Sequence, residues 1–242
     1  MARRFFAKSS DIKNDTVILQ GQEAFHISKV LRLQVDDEIL ISTDNAEELK
    51  CSIQKINKEN VLCEIMDRKK IAYSCQTVTL FQALMKGEHM DLVVQKATEL
   101  NVQKLVPFIS KYVVVKPDDK KQERFERISI EACKQSNRAV PMQISEVLDF
   151  KKLLETLKSY SQIILAYENA DAPAKEILQK LDAKKSLALI VGSEGGFSEE
   201  EVGQIKQVGG KIISMGQNIL RGETASLALV SAVMYELGEW KK

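Results

Sequence analysis

Apolar and polar residues follow two different rhythms along this chain. In the first seventy or so residues the apolar positions fall in short β-rich runs at 16–19, 38–42, 50–56 and 61–65. Asp36-Asp37, Asp44-Asn45 and Lys58-Glu59-Asn60 punctuate them as turns. One helical piece, 23–31, interrupts the strands. Several short strands with one helix predict a small barrel-like domain. Beyond about residue 77 the pattern alternates between strand and helix. Strands are predicted at 77–84, 102–109, 162–166, 187–191 and 211–215. Helices are predicted at 88–100, 147–157, 174–181, 198–208 and 223–239. Phe125, Ile128, Ser129, Ala132 and Cys133 fall on one face of a further helix. Strands alternating with helices imply an α/β fold, a mainly parallel sheet covered on both faces. The change of rhythm puts a boundary at 68–73, giving domains 1–72 and 73–242.

Composition narrows the class. The 242 residues carry 35 basic and 34 acidic side chains, a formal charge of +1, which neither requires nor excludes a nucleic-acid partner. Cys51, Cys63, Cys75 and Cys133 form no C-x-x-C pair, and His26 and His89 are the two imidazoles. A zinc cluster or disulfide framework is therefore not expected, and reduced thiols fit a cytoplasmic protein. Arg3 and Arg4 are followed too soon by Lys8, Ser9 and Ser10 for a signal-peptide core. No apolar run reaches transmembrane length, so no membrane association is expected.

Candidate chemistry concentrates in two strand-to-helix junctions. The first, 190–198 (IVGSEGGFS), ends in Ser198 with Glu201 three positions on, a capping box that marks a helix start. Gly195 and Gly196 permit close approach of a ligand to the backbone. The segment is neither a Walker motif nor a dinucleotide fingerprint. The second, 215–224 (MGQNILRGET), places Asn218, Arg221, Glu223 and Thr224 beside apolar Ile219 and Leu220. Each has a plain structural reading: a tight turn before a capped helix, an Arg221–Glu223 surface pair, Thr224 as an ordinary N-cap. Together they combine apolar wall and orienting polar groups, as a binding pocket requires. Ligands in α/β proteins sit beyond the carboxyl ends of strands, where both junctions lie.

Five segments, 189–201 (LIVGSEGGFSEEE), 215–225 (MGQNILRGETA), 95–100 (QKATEL), 131–138 (EACKQSNR) and 26–33 (HISKVLRL), resemble the SPOUT class of S-adenosylmethionine-dependent RNA methyltransferases. Within it, the resemblance is to the bacterial 16S rRNA (uracil-N3)-methyltransferase family, over nearly the whole chain. Gly222 departs from the pattern, standing where many relatives carry a larger residue.

This resemblance implies an N-terminal PUA-like β-barrel that binds RNA and a C-terminal SPOUT domain with a trefoil knot. It also implies a homodimer acting on 16S rRNA of the small ribosomal subunit, with S-adenosyl-L-methionine as cofactor and no metal. Carried over by position, Ile190, Gly192, Glu194, Gly195 and Gly196 would line one side of the cofactor. Met215, Ile219, Leu220, Arg221 and Glu223 would line another, with Ala166, Tyr167 and Glu168 completing the pocket. Arg221, with Arg138 as a weaker candidate, would stabilise charge developing on the uracil. Glu223 or Glu194 would take the proton. On the residues' own chemistry, Arg3, Arg4, Lys29 and Arg32 either contact phosphate or are solvated surface charges, and the polar helix end with Gln135 and Arg138 either meets the target base or is a solvated terminus. Phe5 and Phe6 would either stack on bases or fill the core. Methylation of the ribose 2′-oxygen or another base, and non-catalytic RNA binding, are the competing readings.

Overall fold

The computed structural model describes residues 3–57, 59–71, 78–115 and 119–240. Cys75, Thr77, part of the Lys58-Glu59-Asn60 turn and the predicted boundary at 72–73 lie outside them. The chain divides into two compact units, Met1–Ala72 with Cys133–Pro141, and Tyr73–Ala132 with Met142–Lys242. The segment 133–141 thus departs from the domain division read in the sequence. Contacts with the rest of the first unit include Lys134 Nζ, 2.6 Å from Glu23 Oε1, and Arg4 Nε, which donates to Asn137 Oδ1 at 3.2 Å.

The first unit contains β1 (Arg4–Ala7), a 3-10 turn (Ser9–Asp11), β2 (Ile12–Lys13) and β3 (Thr16–Gln20). Then come α1 (Gly21–Phe25), running into a π-helical turn (His26–Val30), β4 (Glu38–Thr43), β5 (Glu47–Ile56) and β6 (Asn60–Lys70). They form one six-stranded sheet, β1-β4-β5-β6-β3-β2, in which only β1 and β4 pair in parallel. Alternate residues face inward, as the period of two requires. Val17 and Leu19, Ile39 and Ile41, Leu49, Cys51 and Ile53, and Val61 and Cys63 make one core, joined by Phe5 and Ile27. Phe5 is therefore a core residue. Burial pushes the thiols of Cys51 and Cys63 up to about 12, so neither serves as a nucleophile.

The second unit contains β7 (Val78–Ala83), α2 (His89–Glu99), β8 (Lys104–Phe108), α3 (Asp119–Ser136, whose last turn clusters with the first unit) and β9 (Gln143–Ile144). It continues with α4 (Phe150–Leu157), β10 (Gln162–Ala166), α5 (Ala174–Leu178), β11 (Leu187–Val191), α6 (Glu199–Gln207), β12 (Lys211–Ile213) and α7 (Gly222–Glu236). Its sheet has the order β12-β10-β11-β7-β8-β9, and every pairing is parallel. β7 and β11 are buried along their whole length, as strands covered on both faces must be. One face (Leu80, Leu105, Ile164, Leu189, Val191) packs against α2, α5 and α7. The other (Phe81, Val106, Leu165, Ile190) packs against α4 and α6. The predicted helix at 147–157 starts only at Phe150, because the Asp149 side chain caps it, accepting from Lys152 N at 2.7 Å.

Candidate active site

Because β10, β11 and β12 run in parallel, their carboxyl ends open on one edge of the sheet. The strand order reverses there, with β11 inserted between β10 and β7. The loops leaving these strands enclose a cavity of about 340 Å³. Both glycine-bearing junctions line it, so the two segments singled out in the sequence meet in space.

The first junction is a tight turn as well as a wall. Gly196 N donates to Ser193 O at 3.0 Å, and Gly196 has φ +66°. A Cβ at Gly196 would lie 3.0 Å from Glu168 Oε1, so that carboxylate rests against the turn. Ser198 caps α6 through a complete capping box: Glu201 N donates to Ser198 Oγ at 3.4 Å and Ser198 N to Glu201 Oε2 at 2.9 Å. Phe197 stacks on Phe108, ring centres 6.1 Å apart, anchoring the loop in the core. Glu194 Oε1 accepts from Lys86 N at 3.0 Å, which ties the junction to the loop after β7.

The second junction turns at Gly216, φ +122°, and enters α7 with Arg221 as N-cap and no side-chain cap bond. Thr224 is thus inside the helix rather than at its cap. The Arg221 side chain is exposed and makes no hydrogen bond or ion pair among the described residues, while its carbonyl accepts from Ala225 N at 2.8 Å. Glu223 faces His89 instead: His89 Nδ1 lies 3.1 Å from Glu223 Oε1. The two junctions touch. A Cβ at Gly222 would come within 2.7 Å of Met85 Sδ and 3.2 Å of Gly192 O. The sequence departure at Gly222 therefore coincides with close packing against Met85.

A buried polar clamp fixes this convergence. Gln82, in the fully buried β7, donates through Nε2 to Gly192 O at 3.0 Å and to Ala83 O at 3.1 Å. Its Oε1 accepts from Ser226 Oγ on α7, which also donates to Gly222 O at 2.8 Å. One strand thereby holds both loops. Ser193 adds an unusual group to the wall: its hydroxyl is buried and has no hydrogen-bond partner among the described residues.

Of the cofactor candidates, Ala166, Tyr167, Glu168, Gly192, Glu194, Gly196, Met215, Ile219, Leu220, Arg221 and Glu223 line the cavity. Two do not. Ile190 is fully buried in the core against α4 and α6; strand alternation turns its neighbour Val191 to the cavity instead. Gly195 lies on the outside of the turn, where a Cβ would strike Tyr112 Cβ at 2.6 Å. His89, Ser193 and Gln82 were not singled out in the sequence. The legible signal for Gln82 was a polar residue inside a buried apolar strand. Apolar surface from Leu220, Met215 and Phe197, three carboxylates and an unpaired hydroxyl suit a ligand with an apolar ring, hydroxyls and positive charge.

Arg138 does not line this cavity; it belongs to the first unit, and its Nε donates to Val140 O at 2.6 Å. Within that unit Arg3, Lys29, Arg32 and Gln135 are exposed. Arg4 is not available for phosphate: its guanidinium pairs with Glu48 at 2.7 Å, donates to Ser42 Oγ at 2.7 Å, and is 7% exposed. Pairing of β1 with β4, and of β4 with β5, brings Glu48 to it. Among the described residues no group of three or more His, Cys, Asp or Glu side chains could hold a metal ion. No helix there is long and apolar enough to cross a membrane.

Comparisons with known proteins agree with this geometry. Residues 73–234 match the model of an RNA methyltransferase domain, and residues 19–66 that of an RNA methyltransferase PUA domain. Ribosomal RNA small subunit methyltransferase E of Bacillus subtilis is 31% identical, the match covering 91% of this chain and 90% of that one. The enzyme of the same name from Aquifex aeolicus is also 31% identical, over 93% and 97%. The crystal structure of ribosomal RNA small subunit methyltransferase E from Neisseria gonorrhoeae, bound to S-adenosyl methionine, superposes with a TM-score of 0.83. It is 25% identical, over 97% of this chain and 98% of that one. With a family model spanning most of the second unit and the cavity, and a second model in the first, the chain belongs to the RNA methyltransferase family.

Proposed function

We propose that this protein transfers a methyl group from S-adenosylmethionine to N3 of a uridine in 16S rRNA of the small ribosomal subunit. The observation that carries the reading is the convergence of both glycine junctions on one cavity at the carboxyl ends of β10, β11 and β12. The names of the relatives and the ligand of the Neisseria gonorrhoeae structure support it. In this reading the protein works in the cytoplasm as a homodimer and the loops of the second unit belong to a trefoil knot. The first unit holds RNA through Arg3, Lys29 and Arg32, with Gln135 near the target base.

The residues fit the cofactor by their chemistry. Leu220, Met215 and the backbone of both junctions would hold the adenosine, and Ser193 Oγ gains a partner. Glu168, Glu194 and Glu223 offset positive charge. When bound, S-adenosylmethionine supplies an electrophilic methyl group on a sulfonium. The chain's own part is to place uracil N3 in line with that methyl group and to favour loss of the N3 proton. Arg221, exposed and unpaired, stabilises the charge that develops on the uracil carbonyls.

Nucleoside mass spectrometry of 16S rRNA tests this. Cells lacking the protein are expected to lose one N3-methyluridine, restored by the wild type. Arg221→Ala, at an exposed position, is expected to restore it on the order of 10²-fold more slowly. Loss of a 2′-O-methyl nucleoside or of another methylated base would contradict the N3 assignment.

A further inference from the structure

We infer that His89 is the base that removes the acceptor proton, and that Glu223 is the residue that positions it. The inference rests on the N3 reading above and deepens it. His89 is the first residue of α2 and Glu223 lies in the first turn of α7. These helices pack against each other through one core, so the pair is held by rigid elements rather than loops. Nδ1 of the imidazole is 3.1 Å from Glu223 Oε1. The Glu223 side chain is 11% exposed, the His89 side chain 42%. The pair thus runs from a buried carboxylate to a partly exposed imidazole, and both residues line the cavity.

A carboxylate beside Nδ1 favours the tautomer with its proton there, leaving the Nε2 lone pair free. Arg221, two residues before Glu223, is exposed and lines the same cavity. An imide presents an N–H between two carbonyls, and a base beside a cation matches that pattern. The other carboxylates are less suited: Glu194 already accepts from Lys86 N, and imidazole is intrinsically the stronger base. In the step, the N3 proton passes to His89 Nε2 and the N–H electron pair stays on nitrogen. That pair forms the new N–C bond as the C–S bond breaks with its electrons going to sulfur. The imidazolium, held by Glu223, then releases the proton to water.

Two measurements test this. The chain has two histidines, His26 and His89, so 15N-histidine NMR of the ligand-free protein resolves each. His89 is expected as the Nδ1–H tautomer in the wild type and to shift toward Nε2–H in Glu223→Ala. In single-turnover methylation of 16S rRNA, His89→Ala is expected to be slower by about 10²-fold or more. At saturating S-adenosylmethionine, added imidazole should recover rate. A His89→Ala rate equal to wild type, a loss imidazole does not recover, or an Nε2–H wild-type tautomer would each overturn the proposal while N3-methyluridine still forms. A wild type that makes a different methylated nucleoside would overturn the N3 reading itself, and this step with it.

Discussion

Ser193 places a buried hydroxyl, without a partner among the described residues, on the wall of the cavity. An unsatisfied buried polar group costs about 1–3 kcal/mol, so its persistence points to a ligand that satisfies it. Ser193→Ala is expected to leave the ligand-free protein as stable as the wild type or more so. The same change should weaken S-adenosylmethionine binding about fivefold, the worth of one hydrogen bond of ~1 kcal/mol. Thermal unfolding and calorimetry read the two effects separately, and a drop in stability without loss of affinity would give Ser193 a structural role. Glycines and charged residues of the two junctions were visible in the sequence because chain-local patterns specify them. The ion pair of Arg4 is not legible because its partner, Glu48, is set by strand pairing across forty-odd residues, which no local pattern encodes. The direction of the Ile190 side chain is not legible because a fully buried strand has no alternation to show which side chains face the cavity.

Gln82 shows how an element can govern a site it does not line. β7 carries a polar side chain between the exit of β11 and the start of α7, and both loops hang from it. Gln82→Leu leaves Gly192 O and Ser226 Oγ without that partner. It is expected to destabilise the second unit by about 1–3 kcal/mol, and to weaken ligand binding through loss of loop alignment. Urea unfolding and calorimetry measure these; unchanged values would remove the clamp from the account. Element boundaries were readable where burial and turn signals coincide. The strands at 162–166 and 187–191 have the bounds the apolar runs suggested. β1, β2 and β9 were not readable, since strands of two to four residues owe their pairing to tertiary context rather than to propensity.

At the scale of the whole molecule, the alternation of strand and helix patterns made the parallel sheet of the second unit legible. The association of 133–141 with the first unit was invisible, because α3 reads as one amphipathic helix and nothing local separates its last turn. What makes the molecule functional in this account is a single cradle formed where two separate junctions meet. Calorimetric titration of the purified chain with S-adenosylmethionine tests that cradle most directly. One saturable site per chain is expected, abolished by Gly196→Val, since a branched side chain at φ +66° would strain the turn and meet Glu168. No binding by the wild type, or an undiminished site in a folded Gly196→Val protein, would contradict the account.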